Sequence, residues 1–182
     1  MKVHSTKTDN ASIADKIFLR KTATTELSSL CVLDLYAGEN ILWSQFETER
    51  YYGVELIKGK GKNLHADNRR IIESLDLSEF NTIDCDSYGI PFDVILKLFQ
   101  NNTLQKGTII IYTAISNKMS ALNKECLHMF GLEQMFRKCP TLVQAKGLEL
   151  FYAMLEKQGV NTVYYYKART SFEKHYGYFI TP

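Results

Sequence analysis

Apolar residues in this chain recur in two rhythms, short unbroken runs and longer stretches at helical spacing, and the two alternate through the sequence. Residues 10–22 (NASIADKIFLRKT) predict a helix with Ile13, Ile17 and Phe18 on its apolar stripe and Lys16, Arg20 and Lys21 on its polar side. Cys31 to Tyr36 (CVLDLY) reads as a central parallel strand that ends at Ala37-Gly38, ahead of a helix carrying Ile41, Leu42, Trp43 and Phe46. Tyr51 to Leu56 predicts a second strand. A short third, Asn63 to Ala66, stops at Asp67 before the helical DNRRIIESL. Phe80 to Asp86 is the fourth, and Pro91 can open the helix PFDVILKLFQNN because proline is tolerated in a first turn. The β-branched run TIIIYTA at 108–114 predicts a fifth strand, with helices near 118–130 and 141–157. At the end, NTVYYYKAR and HYGYFI are joined by only TSFEK, which suits an antiparallel hairpin and is too short for a parallel crossover. Strands alternating with helices, then a hairpin, predict a mostly parallel α/β sheet whose ligands bind beyond the carboxyl ends of the strands.

Length and composition narrow the class without naming a function. The 182 residues fit one domain, with residues 1–29 as an N-terminal helix and loop and 30–182 as the core. With 45% hydrophobic, 12% aromatic and 23% charged residues and only 3 Pro, the chain is in the globular range, away from disordered sequences. No apolar run approaches the ~20 residues of a membrane span, and the start MKVHSTKTDNASIADK has no signal-peptide core, so a cytoplasmic protein is expected. Cys31, Cys85, Cys126 and Cys139 lack paired spacing, and His4, His65, His128 and His175 lack ligand spacing, so no disulfide scaffold and no metal is proposed. A net charge of +2 does not imply a polyanion partner; any nucleic-acid contact has to be local.

The strand ends carry the chemistry. In order they deliver Asp34-x-x-x-Gly38, Glu55, Asp67 and Asp84-x-Asp86 toward one edge of the sheet. Gly38 permits a positive φ and a close backbone approach. Glu55, 21 positions after Asp34, is placed to accept from two ribose hydroxyls, the role of an acid about 20 residues past the glycine turn of dinucleotide folds. Asp67, at the next strand end, can accept hydrogen bonds from an amino group. Read singly, the same residues are a turn glycine, a strand-end surface acid and a helix cap.

From VLDLYAGEN (32–40) to DCDSYGIP (84–91), this ordered set resembles the class I S-adenosylmethionine-dependent methyltransferases, and the strand-helix order extends the resemblance over most of the chain. The resemblance implies a Rossmann-like sheet with helices on both faces, the cofactor S-adenosyl-L-methionine, and a cofactor wall of Asp34, Tyr36, Gly38, Asn40, Glu55, Asp67 and Asp84. It implies that Asp34 helps to hold the cofactor's amino-acid end. The chain differs from the family at Asn40, where a small residue is usual, and in the Ile57 to Lys62 link, where a helix is usual.

Asp84 and Asp86 leave one face of their strand and Cys85 the other, and two buried acids require donors or a ligand. Asp86-Ser87-Tyr88-Gly89 resembles the D-P-P-Y motif of methyltransferases acting on exocyclic amines, and DSYGIP the D-P-[FY]-G-S-P segment of tRNA guanine dimethyltransferases, with Ser87 and Ile90 as departures. An aromatic amine is a poor nucleophile and needs an acceptor to orient it, which makes Asp86 the candidate catalytic acid and Tyr88 a stacking face for a base. A nucleic-acid base is therefore the expected target, with Lys58, Lys60, Lys62, Arg69 and Arg70 as candidate phosphate contacts. The alternatives are a non-catalytic methyltransferase-like subunit working with a partner protein, or an enzyme acting on protein or a small molecule.

Overall fold

The computed structural model describes residues 12–56, 58, 64–116, 122, 124–167 and 173–182. Its strands are β1 (Cys31–Asp34), β2 (Arg50–Glu55), β3 (Leu64–His65), β4 (Thr82–Cys85), β5 (Ile109–Ser116), β6 (Tyr164–Lys167) and β7 (Glu173–Ile180). They form one sheet in the order β3-β2-β1-β4-β5-β7-β6, parallel from β3 to β5 and antiparallel through β7 and β6. The expected mostly parallel sheet with a terminal hairpin is what forms. Strand β3 pairs with β2 in parallel despite the short link, whose residues 57 and 59–63 lie outside the described ones.

The helices are α1 (Ile13–Thr24), α2 (Asn68–Ser74), α3 (Phe92–Gln100), α4 (Lys124–Met129), α5 (Glu133–Lys138), α6 (Pro140–Ala145) and α7 (Gly147–Lys157). Helices α2, α3, α4 and α7 cover one sheet face with Ile72, Ile95, Leu127 and Phe151, against Leu33, Ile83, Ile110 and Phe179. Helix α1 covers the other, where Leu19 and Ala23 meet Val32, Ile109, Ile111, Tyr176 and Trp43. Among the described residues no helix is long and apolar enough to cross a membrane.

Three local expectations change. The helix expected after β1 is only a 3₁₀ turn, Trp43–Gln45, because Gly38 (φ 54°) and Asn40 (φ 63°) put two left-handed residues in the segment that would have been its first turn. The helix expected over 141–157 is two, α6 and α7, broken at Lys146 where the backbone leaves helical geometry, and α5 precedes them. Of the helix expected near 118–130, residues 118–121 and 123 lie outside the described ones and Lys124–Met129 is helical.

The third change bears on the site. Helix α1 does not bury the Ile13, Ile17, Phe18 stripe: Phe18 is 63% exposed, while Leu19, Arg20, Ala23 and Thr24 are buried. Its sheet-facing side packs Leu19 and Ala23 on apolar strand residues and also carries Arg20 and Lys16, two of the three residues assigned to the polar side, onto a row of acids, while Lys21 stays exposed.

Candidate active site

Strand register brings the acids together. Asp34 and Asp84 are cross-strand partners at the ends of β1 and β4, and Asp86 follows two residues later on the same face. Helix α1 answers this row with cations. Arg20, 1% exposed, places Nη2 2.5 Å and Nε 2.8 Å from Asp84 Oδ2, and its Nη2 is 3.6 Å from Asp86 Oδ2. Lys16, one turn earlier, donates to Asp86 Oδ2 at 2.7 Å. Trp43 Nε1 donates to Asp84 Oδ2 at 2.7 Å, and the Arg20 guanidinium lies 5.7 Å from the Trp43 ring centroid. Asp34 accepts from the Tyr36 backbone N–H at 3.1 Å, and the single Tyr51 hydroxyl lies within hydrogen-bond distance of both Asp34 Oδ2, at 3.1 Å, and Asn40 Oδ1, at 3.3 Å.

Burial and the neighbouring Asp84 push Asp34 up to about 8, so it carries a proton at neutral pH. Burial also pushes Asp84 up, against the pull of Arg20, and its Oδ1 is buried without a hydrogen-bond partner. Burial works against the Asp86 carboxylate too, but Lys16 and Arg20 outweigh it and hold Asp86 below the usual carboxylate range. With Asp34 protonated, two carboxylates face two cations, a balance that a buried cluster requires.

On the other side of the same strand tips lies a cavity of about 430 Å³. The end of β1 (Leu35, Tyr36), the end of β2 (Val54, Glu55, Leu56), the start of α2 (Ala66 to Arg69) and the segment Ile90 to Val94 line it. The Gly38 turn is fastened beside Glu55, since Gly38 N donates to Glu55 Oε2 at 3.1 Å and Ala37 N donates to the Val54 carbonyl at 3.1 Å. Asp67 is in the wall and is also the N-cap of α2: its carboxylate accepts from Arg69 N, Nε and Nη2, and that bonding holds it below its ordinary pKa. The wall contains a residue that sequence reasoning missed, Asp93, whose carboxyl burial pushes up and whose Oδ1 has no hydrogen-bond partner. Its position in the first turn of a helix, read only as helix-forming, gave no separate signal.

The sequence-predicted residues thus fall into two adjoining groups. Tyr36, Glu55 and Asp67 line the cavity, with Gly38 fastened to Glu55; Asp34, Asn40, Asp84 and Asp86 belong to the ionic cluster beneath α1. Asp34 connects them through Tyr36 N. So does the chain from Asp86 to Val94, which starts in the cluster and ends in the cavity wall. Tyr88, between the two, is 76% exposed. Of the candidate phosphate contacts, Lys58, Arg69 and Arg70 are exposed, Arg69 is paired with Asp67, and Lys60 and Lys62 lie outside the described residues.

Arg20 and Lys16 are the other residues that sequence reasoning put in a different place. The signal for them was available in the acids themselves, because a buried row of carboxylates calls for cations, and these two stand at i, i+4 on the nearest helix.

No protein-family model matches the chain, and no curated protein matches it in sequence. Solved structures do match in shape. The N-methyltransferase NodS from Bradyrhizobium japonicum superposes with a TM-score of 0.60 at 8% identity over 96% of this chain and 98% of its own. The plantazolicin methyltransferase BamL, solved with a desmethyl-plantazolicin analogue and SAH, gives 0.55 at 12% identity over 94% and 85%. TYW2 of P. horikoshii, solved with MeSAdo, gives 0.55 at 12% identity over 100% and 67%. With its strand order, its terminal hairpin and these likenesses, the chain has the fold of the class I S-adenosylmethionine-dependent methyltransferases.

Proposed function

We propose that this protein is an S-adenosylmethionine-dependent methyltransferase acting on an exocyclic amine of a nucleic-acid base. The observation that carries the proposal is the continuity of the segment from Asp86 to Val94, which joins an ionised, motif-positioned acid to a ligand-sized cavity holding Glu55. At about 430 Å³ the cavity is within the ~300–1,000 Å³ usual for small-molecule sites. Its residues fit the cofactor chemically. Apolar side chains of Leu35, Val54, Ile90 and Phe92 offer walls for a flat ring, Glu55 offers a carboxylate for vicinal hydroxyls, and the positive-φ turn at Gly38 offers close backbone approach.

When bound, S-adenosylmethionine would supply an electrophilic methyl group to the acceptor nitrogen and leave as the neutral thioether, the nitrogen's proton passing to solvent. The chain's own task is alignment. Asp86, held ionised by its two cations, is suited to accept an N–H of the acceptor and orient its lone pair. Tyr88 presents an open ring for stacking, and exposed Lys58 and Arg70 are suited to phosphate. NodS, an N-methyltransferase by name, supports an amine as the acceptor class.

The test is transfer of a labelled methyl group into RNA, DNA and protein fractions. RNA or DNA gains label with the parent chain, and Asp86→Asn lowers the rate at least ~100-fold, the scale on which alignment is lost. Label in protein alone, or an Asp86→Asn variant as active as the parent, contradicts the proposal. A second reading, a non-catalytic subunit that needs a partner protein, draws on the ion pair that closes Asp86; activity that appears only with a partner chain present favours it.

A further inference from the structure

The two cations on α1 are held in different ways. Arg20 is locked: it is 1% exposed, contacts Asp84 through Nε and Nη2, and donates from Nη1 to the Lys16 carbonyl at 2.9 Å. Lys16 reaches Asp86 through one hydrogen bond at the end of a flexible stem, with 18% of its side chain exposed. Withdrawing Lys16 does not strand Asp86 as a lone buried charge, because Arg20 Nη2 stays 3.6 Å away and keeps the carboxylate compensated. Nor does it release α1. Leu19 and Ala23 remain packed in the core, Arg20 remains on Asp84, and Tyr166 donates its hydroxyl hydrogen to the Asp15 carbonyl at 2.7 Å.

We propose that the Lys16 ammonium is a placeholder. In the resting protein it occupies the acceptor-amine position on Asp86, so an acceptor enters by displacing an internal N–H donor that is charged where a base amine is neutral. The inference rests on the reading of Asp86 as the amine-binding acid, and it adds that α1 sets a threshold: only an acceptor that outcompetes a tethered lysine is held there. Arg20 supplies the lasting charge compensation and Lys16 the exchangeable one.

The experiment uses the full chain carrying Lys16→Ala, with Lys16→Met as a second variant whose thioether fills the stem and blocks the position. Thermal midpoints are followed against ethylammonium chloride, with tetramethylammonium chloride at equal ionic strength as the control. Ethylammonium is expected to raise the midpoint of Lys16→Ala by about 3 °C at ten times its dissociation constant. Tetramethylammonium, which has no N–H, is expected to have no such effect, and the parent chain and Lys16→Met are expected to respond to neither salt selectively. Equal responses of Lys16→Ala to the two salts overturn the placeholder. So do Lys16→Ala and Lys16→Met chains that are both unfolded at 25 °C, since the ammonium is then structural. S-adenosylhomocysteine titrated into the same samples separates the two levels of the argument. Homocysteine-nucleoside binding without selective ethylammonium stabilisation removes the placeholder alone, whereas the reverse leaves an amine-binding acid and removes its use in methyl transfer.

Discussion

The two sides of the β1 and β4 tips handle polar groups in opposite ways. Beneath α1, Asp34, Asp84 and Asp86 are matched inside the molecule by Arg20, Lys16, Trp43 and Tyr51. Across the strand tips, Glu55 and Asp93 stand in the wall of a cavity. The first group is held by ion pairs and hydrogen bonds within the molecule, with Asp84 Oδ1 left without a hydrogen-bond partner, and the second borders a space of ligand size. The contrast separates Arg20 and Asp84, whose pairing holds α1 on the sheet, from residues that face the cavity, although the acids of both groups came from one sequence pattern of strand-end acids.

The largest expected effect is on the closed side. Arg20→Met leaves the Asp84 carboxylate buried without its cation and should destabilise the protein by about 3–5 kcal/mol. Adding Asp84→Asn should recover more than half of that in chemical denaturation. A single Arg20→Met variant less than about 1 kcal/mol below the parent would show that the cluster does not hold α1 in place.

Next comes a dependence on pH. The folded-state pKa of Asp34, about 8, is above its ordinary value of 3.8, so the native state binds the extra proton between those limits. Its contribution to stability is complete below about 4 and is lost as pH rises through about 8, at up to ~1.4 kcal/mol per pH unit inside the window. Asp34→Asn should remove that slope and be the more stable chain at pH 9. Parallel stability curves for the two chains from pH 5 to 9 would contradict the buried proton.

On the open side, Glu55→Gln should leave the unfolding midpoint unchanged and weaken S-adenosylhomocysteine about ten- to a hundredfold, the value of a hydrogen bond to a charged group. Smallest is Tyr88→Ala. With its side chain 76% exposed, stability should not move, while the rate with a nucleic-acid acceptor should fall about tenfold if a base stacks there. Equal loss with a free amine acceptor would assign Tyr88 a different task.

Much of the architecture was legible because strand signals are local. CVLD, TIDC and the β-branched IIIYTAIS lie in buried strands, and the aromatic runs YYYK and EKHYGYFI pair as a hairpin. The order of the strand-end acids was legible for the same reason. What failed depended on partners distant in sequence. Ile41, Leu42, Trp43 and Phe46 have an apolar pattern that reads as a helix, yet the left-handed Gly38 and Asn40 deny it a first turn, and Trp43 is set instead as a donor to Asp84. Lys16 and Arg20 read as a solvated helix face because α1 taken alone gives no sign of what it covers; only the sheet beneath, with three acids on one face, turns that stripe inward. Asp67 is the helix cap of its plainer reading, and it also stands in the cavity wall.

The central claim is that the Glu55 side of the strand tips receives the nucleoside half of the cofactor while the Asp86 side is held by α1. Calorimetric titration of S-adenosylhomocysteine into the parent, Glu55→Gln and Asp86→Asn chains tests it most directly. The account predicts one site per chain in the parent, a marked loss of affinity in Glu55→Gln and near-parent affinity in Asp86→Asn. No heat and no thermal shift at millimolar ligand in the parent chain, or affinity lost in Asp86→Asn and kept in Glu55→Gln, would contradict it.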